Sequence, residues 1–258
     1  MSGATHSNVT IGTQPLIRGA GADERIWHRS AALRAVPDCE LGELIGACNR
    51  VWLIAPHPDD EVLGAGGLVA RLLHMQRPVT VVAVTDGAAS HPRSLRWTPR
   101  RLARVRPRES RAALAQLGSG ATLLKVGIAD GTVAACHAAL LDFLAARMRA
   151  GDLALATWRH DGHPDHEATG RATRDACLAT GVAFLEYPIW MWHWARPDDS
   201  LVPWTRAKKL RLSQAEMARK RHAIRQFASQ LASDAGQPAI LPPHVLVRFA
   251  RPFEVFFT

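Results

Sequence analysis

Long apolar runs are missing from this chain of 258 residues, and none approaches the roughly 20 residues that cross a bilayer. The opening MSGATHSNVTIG has neither a basic segment nor an apolar core, so no secretory leader is expected. Cysteine occurs four times (Cys39, Cys48, Cys136, Cys177) without a Cys-x-x-Cys pair, which excludes a disulfide scaffold and reads as reduced, mostly buried thiols. Aromatics are few, with a single tyrosine, but the hydrophobic fraction of 47% is ordinary for a globular protein and excludes disordered and collagen-like classes. A cytoplasmic protein without stable membrane insertion is the expectation.

Charge is present in one-sided excess, 32 Lys+Arg against 23 Asp+Glu, for a formal +9. No recognised binding motif accompanies it, so no nucleic-acid partner is expected. The densest arginine stretch, residues 93–111, reads first as a solvated helix face. Its functional alternative is a rim that attracts an acidic small molecule.

Buried-strand patterns recur at residues 51–55, 79–84, 121–126, 153–157, 182–187 and near 254–257. Helical patterns separate most of them, at 62–75, 100–117, 134–149, 167–180 and 213–231, with Gly118, Gly151 and Gly181 as stops. That rhythm predicts an α/β fold, a three-layer sandwich around a mainly parallel, twisted sheet. Residues 49–258 read as one domain. Residues 1–48 read as an N-terminal extension, disordered or loosely docked, with at most a short helix in ERIWHRSAALRAV.

Ligands of open α/β sheets bind beyond the carboxyl ends of the strands. Directly after the first strand comes PHPDDE (residues 56–61), and after the fourth comes WRHDGHPDHE (residues 158–167). A catalytic zinc takes three nitrogen or oxygen ligands and keeps one position for water. His57, Asp60 and His166 supply that set, with Asp59 beside the metal and not on it. Such a set also holds iron in oxygenases; those sites sit mostly on β-barrels, so zinc, one ion per chain, is the expectation and iron the alternative in the same ligands. Either loop alone is as readily a helix cap as a site; the two together at corresponding strand ends are not. Glu61 reads as a first-turn carboxylate favoured by the helix dipole. Gly64, Gly66 and Gly67 lack the spacing of a nucleotide fingerprint and read as close-packing positions. His160 and Asp161 adjoin the second loop closely enough for a supporting role.

The segments APHPDDEVLGAGG (55–67) and DGHPDHEATG (161–170) resemble the LmbE-like, or PIG-L, family of zinc-dependent N-deacetylases. VTVVAVTDG (79–87), RPRESRAALAQLG (106–118) and KVGIADG (125–131) extend the resemblance over roughly residues 50 to 190. It implies a Rossmann-like fold, zinc on His57, Asp60 and His166, and Asp59 as general base. It further implies His163 as a carbonyl-polarising or proton-donating group, with Asp165 orienting it, and an Arg-x-x-Glu element matched by Arg106 and Glu109. Arg106 is then a candidate contact to substrate oxygens. Whether Asp59 or His163 protonates the leaving amine stays open.

Trp190, Trp192 and Trp194 alternate, so in an extended conformation they share one face. They read as strand core or as an aromatic wall for a sugar or acyl chain, which makes Trp190 and Trp192 candidate substrate contacts. The function implied is hydrolysis of the N-acetyl group of an amino sugar or related glycoconjugate. Another N-acyl or thiol-conjugate amide, or a binding protein that kept the fold, are the alternatives.

Overall fold

Continuous β-branched and aliphatic runs bury both faces of the central strands, and crossover helices cover them in the computed structural model. The structure describes residue 17 and residues 19–258 apart from 235. The chain opens with α1 (Glu24–Arg29), α2 (Ala31–Ala35), β1 (Asp38–Cys39) and α3 (Leu41–Ile45). Crossover units follow: β2 (Val51–Ala55), α4 (Asp60–His74), β3 (Val79–Thr85), α5 (Pro99–Leu117), β4 (Thr122–Ile128), α6 (His137–Ala145), β5 (Leu153–Thr157), α7 (Pro164–Thr180) and β6 (Ala183–Tyr187). Then come α8 (Met191–Trp194), β7 (Ala207–Arg211), α9 (Gln214–Ile224), α10 (Ala228–Leu231), α11 (Pro243–Leu246) and β8 (Phe253–Phe257).

The eight strands lie in the order β1-β7-β8-β6-β5-β2-β3-β4. All pairings are parallel except those of β8, which runs antiparallel to both β6 and β7. One apolar cluster, including Leu53, Leu68, Leu72 and Leu114, covers one face; another, including Ile54, Val82, Leu140 and Ala172, covers the other. The α/β three-layer expectation therefore holds.

From β2 the chain winds outward through β3 and β4; on its other side lie β5 and then β6. The order reverses between β2 and β5, which pair in parallel (Ile54↔Ala156), so the loops that leave these two strands emerge side by side. Small residues tighten that junction. A Cβ on Gly64 would collide with the Tyr187 ring, and one on Gly67 with Leu212, so both glycines are close-packing positions.

The expectation of a loosely docked arm is corrected for residues 22–48. Trp27, 1% exposed, stacks edge-on against Trp192 at 5.1 Å, and Glu24 forms a buried fork with Arg251 at 2.6–2.7 Å. Strand β1 extends the sheet beyond β7. The anchoring partners lie about 165 to 230 residues away, beyond the reach of local pattern. The earlier part of the extension, residues 1–16, lies outside the described residues. The segment 188–195 is also corrected: Met191–Trp194 is a helical turn, so Trp190 and Trp194, four apart, lie on one face and Trp192 turns away from them.

Trp27→Ala should cost about 3–5 kcal/mol of stability, the range for a large aromatic removed from a core. Urea denaturation of the variant tests whether residues 22–48 belong to the folding unit.

Candidate functional site

Strand β2 ends at Ala55 and α4 begins at Asp60, so residues 56–59 must turn sharply at the sheet edge. Asp59 takes the strain, with φ 120° and ψ −31° in a region that non-glycine residues rarely occupy. Such a residue costs about 1–3 kcal/mol and persists only where its surroundings over-determine it. Here they do. The Glu61 carboxylate accepts from the Asp59 backbone N–H at 2.9 Å, and Arg106 donates to the Asp59 carboxylate at 3.0 Å.

Three ligand atoms converge beside this turn. Asp60 Oδ2 lies 3.4 Å from His57 Nδ1 and 3.2 Å from His166 Nε2, and the two nitrogens are 3.3 Å apart. Ligands about 2.0–2.1 Å from a tetrahedral centre stand about 3.3–3.4 Å from one another. The triangle thus has the edge length that a tetrahedral zinc ion requires, with the fourth corner left for solvent or substrate.

Each histidine of the triangle is oriented from behind by a carboxylate. His57 Nε2 meets Asp165 Oδ2 at 3.1 Å, and His166 Nδ1 meets Asp161 Oδ2 at 2.8 Å. Such pairs fix the tautomer and strengthen the ligand nitrogen. Asp161 also accepts from the backbone N–H groups of Ile189, Trp190 and Met191, which ties the start of α8 to the site. Asp165 accepts from Gly131 at 2.7 Å and Val133 at 3.4 Å. Its carboxylate therefore orients His57, a correction to the expected pairing with His163; only its backbone N–H reaches His163, donating to Nδ1 at 3.2 Å.

That contact decides the role open to His163. His57, His163 and His166 lie close enough to form a three-histidine cluster. Because Nδ1 of His163 accepts a backbone proton, the neutral ring carries its own proton on Nε2 and can only donate there. Asp60 is accordingly the third candidate ligand, and His163 a hydrogen-bond donor.

Burial and mutual charge set the protonation states. Burial raises the Asp59 carboxyl to about 7, against the pull of Arg106. Burial likewise lifts Glu61 to about 7, opposed by the Asp59 N–H. Asp60 is driven the other way, below the usual carboxylate range, because the His166 and His57 charges outweigh burial. Burial works against a charged His166, but Asp60 and Asp161 raise it to about 10; His57 is also raised, by Asp165 and Asp60. His163 is pressed down to about 3 by burial and by the two neighbouring imidazoles. Protons and a divalent cation thus compete for one triangle of atoms.

A cavity of about 430 Å³ opens over these groups. His57, Asp59, Asp60, His163, Asp165 and His166 line it, together with the apolar Leu63, Ile189, Trp190, Ile240, Leu241, Val245 and Phe249 and the polar Ser90, Asp130 and Arg248. Two candidate substrate contacts are reassigned. Arg106 borders the cavity, but it is 3% exposed and its terminal nitrogens bind Asp59, Gly87 O and Pro58 O, so it positions the turn. Trp192 is 4% exposed and packs on Trp27 and the Arg251 guanidinium, away from the cavity. Trp190 does line it. His160 is exposed against Trp158 and takes no part. Gln230 also lines the cavity, and no motif in the sequence marked it.

Residues 52–177 match the family model of PIG-L, GlcNAc-PI de-N-acetylase. No curated protein matches the chain. Among solved structures, A40926 pseudoaglycone deacetylase Dbv21 is 25% identical with a TM-score of 0.62, covering 81% of this chain and 96% of its own. N,N'-diacetylchitobiose deacetylase from Pyrococcus horikoshii is 20% identical with a TM-score of 0.51, over 70% of this chain and 71% of its own. The fold is not confined to deacetylases: GalB, the 4-carboxy-2-hydroxymuconate hydratase of Pseudomonas putida KT2440, is 18% identical with a TM-score of 0.52, covering 79% and 83%. Both motif loops lie inside the matched segment, so over residues 52–177, just under half of the chain, the protein is similar to the PIG-L, or LmbE-like, family.

Proposed function

We propose that the protein is a zinc-dependent N-deacetylase that cleaves the N-acetyl group of an amino sugar or related glycoconjugate, releasing acetate and a free amine. The observation that carries this reading is the 3.2–3.4 Å triangle of His57, Asp60 and His166 with the clamped Asp59 carboxyl in the same cavity. The deacetylases of the same fold support it. His57, Asp60 and His166 would hold the ion, which when bound supplies a Lewis acid that polarises a carbonyl and acidifies water.

The chain's own residues account for the proton traffic. Asp59, near-neutral in affinity and fixed by Arg106, takes the proton of the attacking water. As charge develops on the amide oxygen, Nε2–H of His163 donates to it from a position already set by the start of α7. A ring held down to about 3 is a hydrogen-bond donor and a poor proton source, so Asp59 returns the proton to the nitrogen as the C–N bond breaks. Trp190 presents an apolar surface to the substrate beyond the acetyl group. The substrate is thus a small N-acetylated molecule. Among the described residues no helix is long and apolar enough to cross a membrane.

Acetate release from N-acetylglucosamine and diacetylchitobiose, before and after dipicolinate treatment and zinc repletion, tests the reading; cleavage indifferent to the chelator would overturn it. Asp59→Asn should lose about 10²–10⁴-fold in kcat while retaining stoichiometric metal. Arg106→Gln removes a positive charge that holds Asp59 down, so the acid limb of its kcat/KM profile should lie at higher pH than that of the wild type. Asp161→Asn and Asp165→Asn should each weaken zinc about 10–100-fold in a competition titration with a chromophoric chelator.

A further inference from the structure

Helix α5 reaches the cavity twice. Arg106 holds Asp59, and three residues on, Glu109 engages the start of α10. Its carboxylate accepts from the Ser229 backbone N–H and from the Ser229 hydroxyl, both at 2.7 Å. Ser229 Oγ, its own proton committed to Glu109, can then only accept from its other neighbour, the Gln230 side chain at 2.7 Å. A carboxylate has no proton to give, so the order is forced: nitrogen of the Gln230 amide toward Ser229, carbonyl oxygen away from it. The Gln230 backbone is pinned as well, its carbonyl accepting from Leu241 N–H at 2.9 Å.

Gln230 is fully buried and lines the cavity, yet its Oε1 has no partner among the described residues. Ile240, Leu241, Val245 and Phe249, which also line the cavity, offer no side-chain donor, and Arg248 commits its terminal nitrogens to His193 Nδ1, Ala20 O and Ala22 O. A buried carbonyl oxygen without a donor is costly and uncommon, and here four hydrogen bonds hold it in that state. An orphan so firmly fixed at a binding cavity is completed by what binds there.

We propose that Gln230 is a specificity-determining residue whose carbonyl oxygen accepts a hydrogen bond from a substrate hydroxyl, with Ser229 and Glu109 as its positioning residues. The inference rests on the amide-hydrolase reading of the same cavity and assigns one residue of it to a substrate hydroxyl. The selection is strong because an analogue without the hydroxyl leaves the buried oxygen unpaired.

The test compares probes of similar ring size with and without hydroxyls. Calorimetric titration measures binding of glucosamine and of cyclohexylamine, and acetate release measures cleavage of N-acetylglucosamine and of N-acetylcyclohexylamine. The wild type should favour the hydroxylated member of each pair at least tenfold. Gln230→Leu should lower glucosamine affinity and N-acetylglucosamine kcat/KM about tenfold or more while changing the cyclohexyl values less than threefold. Ser229→Ala, which leaves the amide free to rotate, should give a smaller loss confined to the sugar probes. Equal effects on both series, or a wild type that binds glucosamine no tighter than cyclohexylamine, would overturn the assignment even if amides are cleaved. Preferential glucosamine binding that Gln230→Leu abolishes would uphold it even if neither amide is cleaved, and the deacetylase reading alone would then fall.

Discussion

The carboxyl edge of this sheet depends on acids and imidazoles being buried together. Asp59, Asp60, Glu61, Asp161, Asp165 and His166 are all below a tenth exposed, and a carboxylate removed from water alone would be prohibitive. Most have a charged counterpart: Asp60 the two histidines of the triangle, Asp161 and Asp165 one histidine each plus backbone N–H groups, Asp59 the Arg106 guanidinium; Glu61 has only the Asp59 backbone N–H. Removing one member leaves its partner uncompensated. That mutual dependence lets the parallel strands fix ligand atoms to within tenths of an ångström while the loop between β2 and α4 stays strained.

Much of this was legible in the sequence. The runs at 51–55 and 153–157 coincide with β2 and β5, and Gly118 and Gly181 end α5 and α7 as read. The convergence of His57, Asp60 and His166 was expected from two loops leaving the carboxyl ends of strands in one sheet, and the β2–β5 pairing brings those loops together. What was not legible depended on distance in the chain. β7 reads AKKLR, a charged segment whose Lys209 is nevertheless buried between β1 and β8. The Asp165–His57 pair joins residues 108 apart, whereas sequence proximity had suggested His163. Gln230 carried no signal at all, because its importance lies in the Glu109 contact 120 residues away through Ser229.

The matched segment and the remainder divide the labour. Residues 52–177 contain every atom of the triangle, Asp59, Arg106 and His163. Leu63, Ser90 and Asp130 of the same segment line the cavity as well, while Trp190, Gln230, Leu241, Val245 and Phe249 contribute to it from beyond residue 177. The cavity thus draws on both parts of the chain, and a fold that also hosts a hydratase does not by itself set an activity.

The placement of β8 has a bearing on assembly. Strands β2 to β6 come from a contiguous stretch, but β1 and β7 join them only through β8, the final strand in chain order. β1 and β7 pair with each other directly and can meet before β8 is made, yet their joint attachment to β6 requires it. The earliest strand of the sheet is thus fastened to the rest by the last.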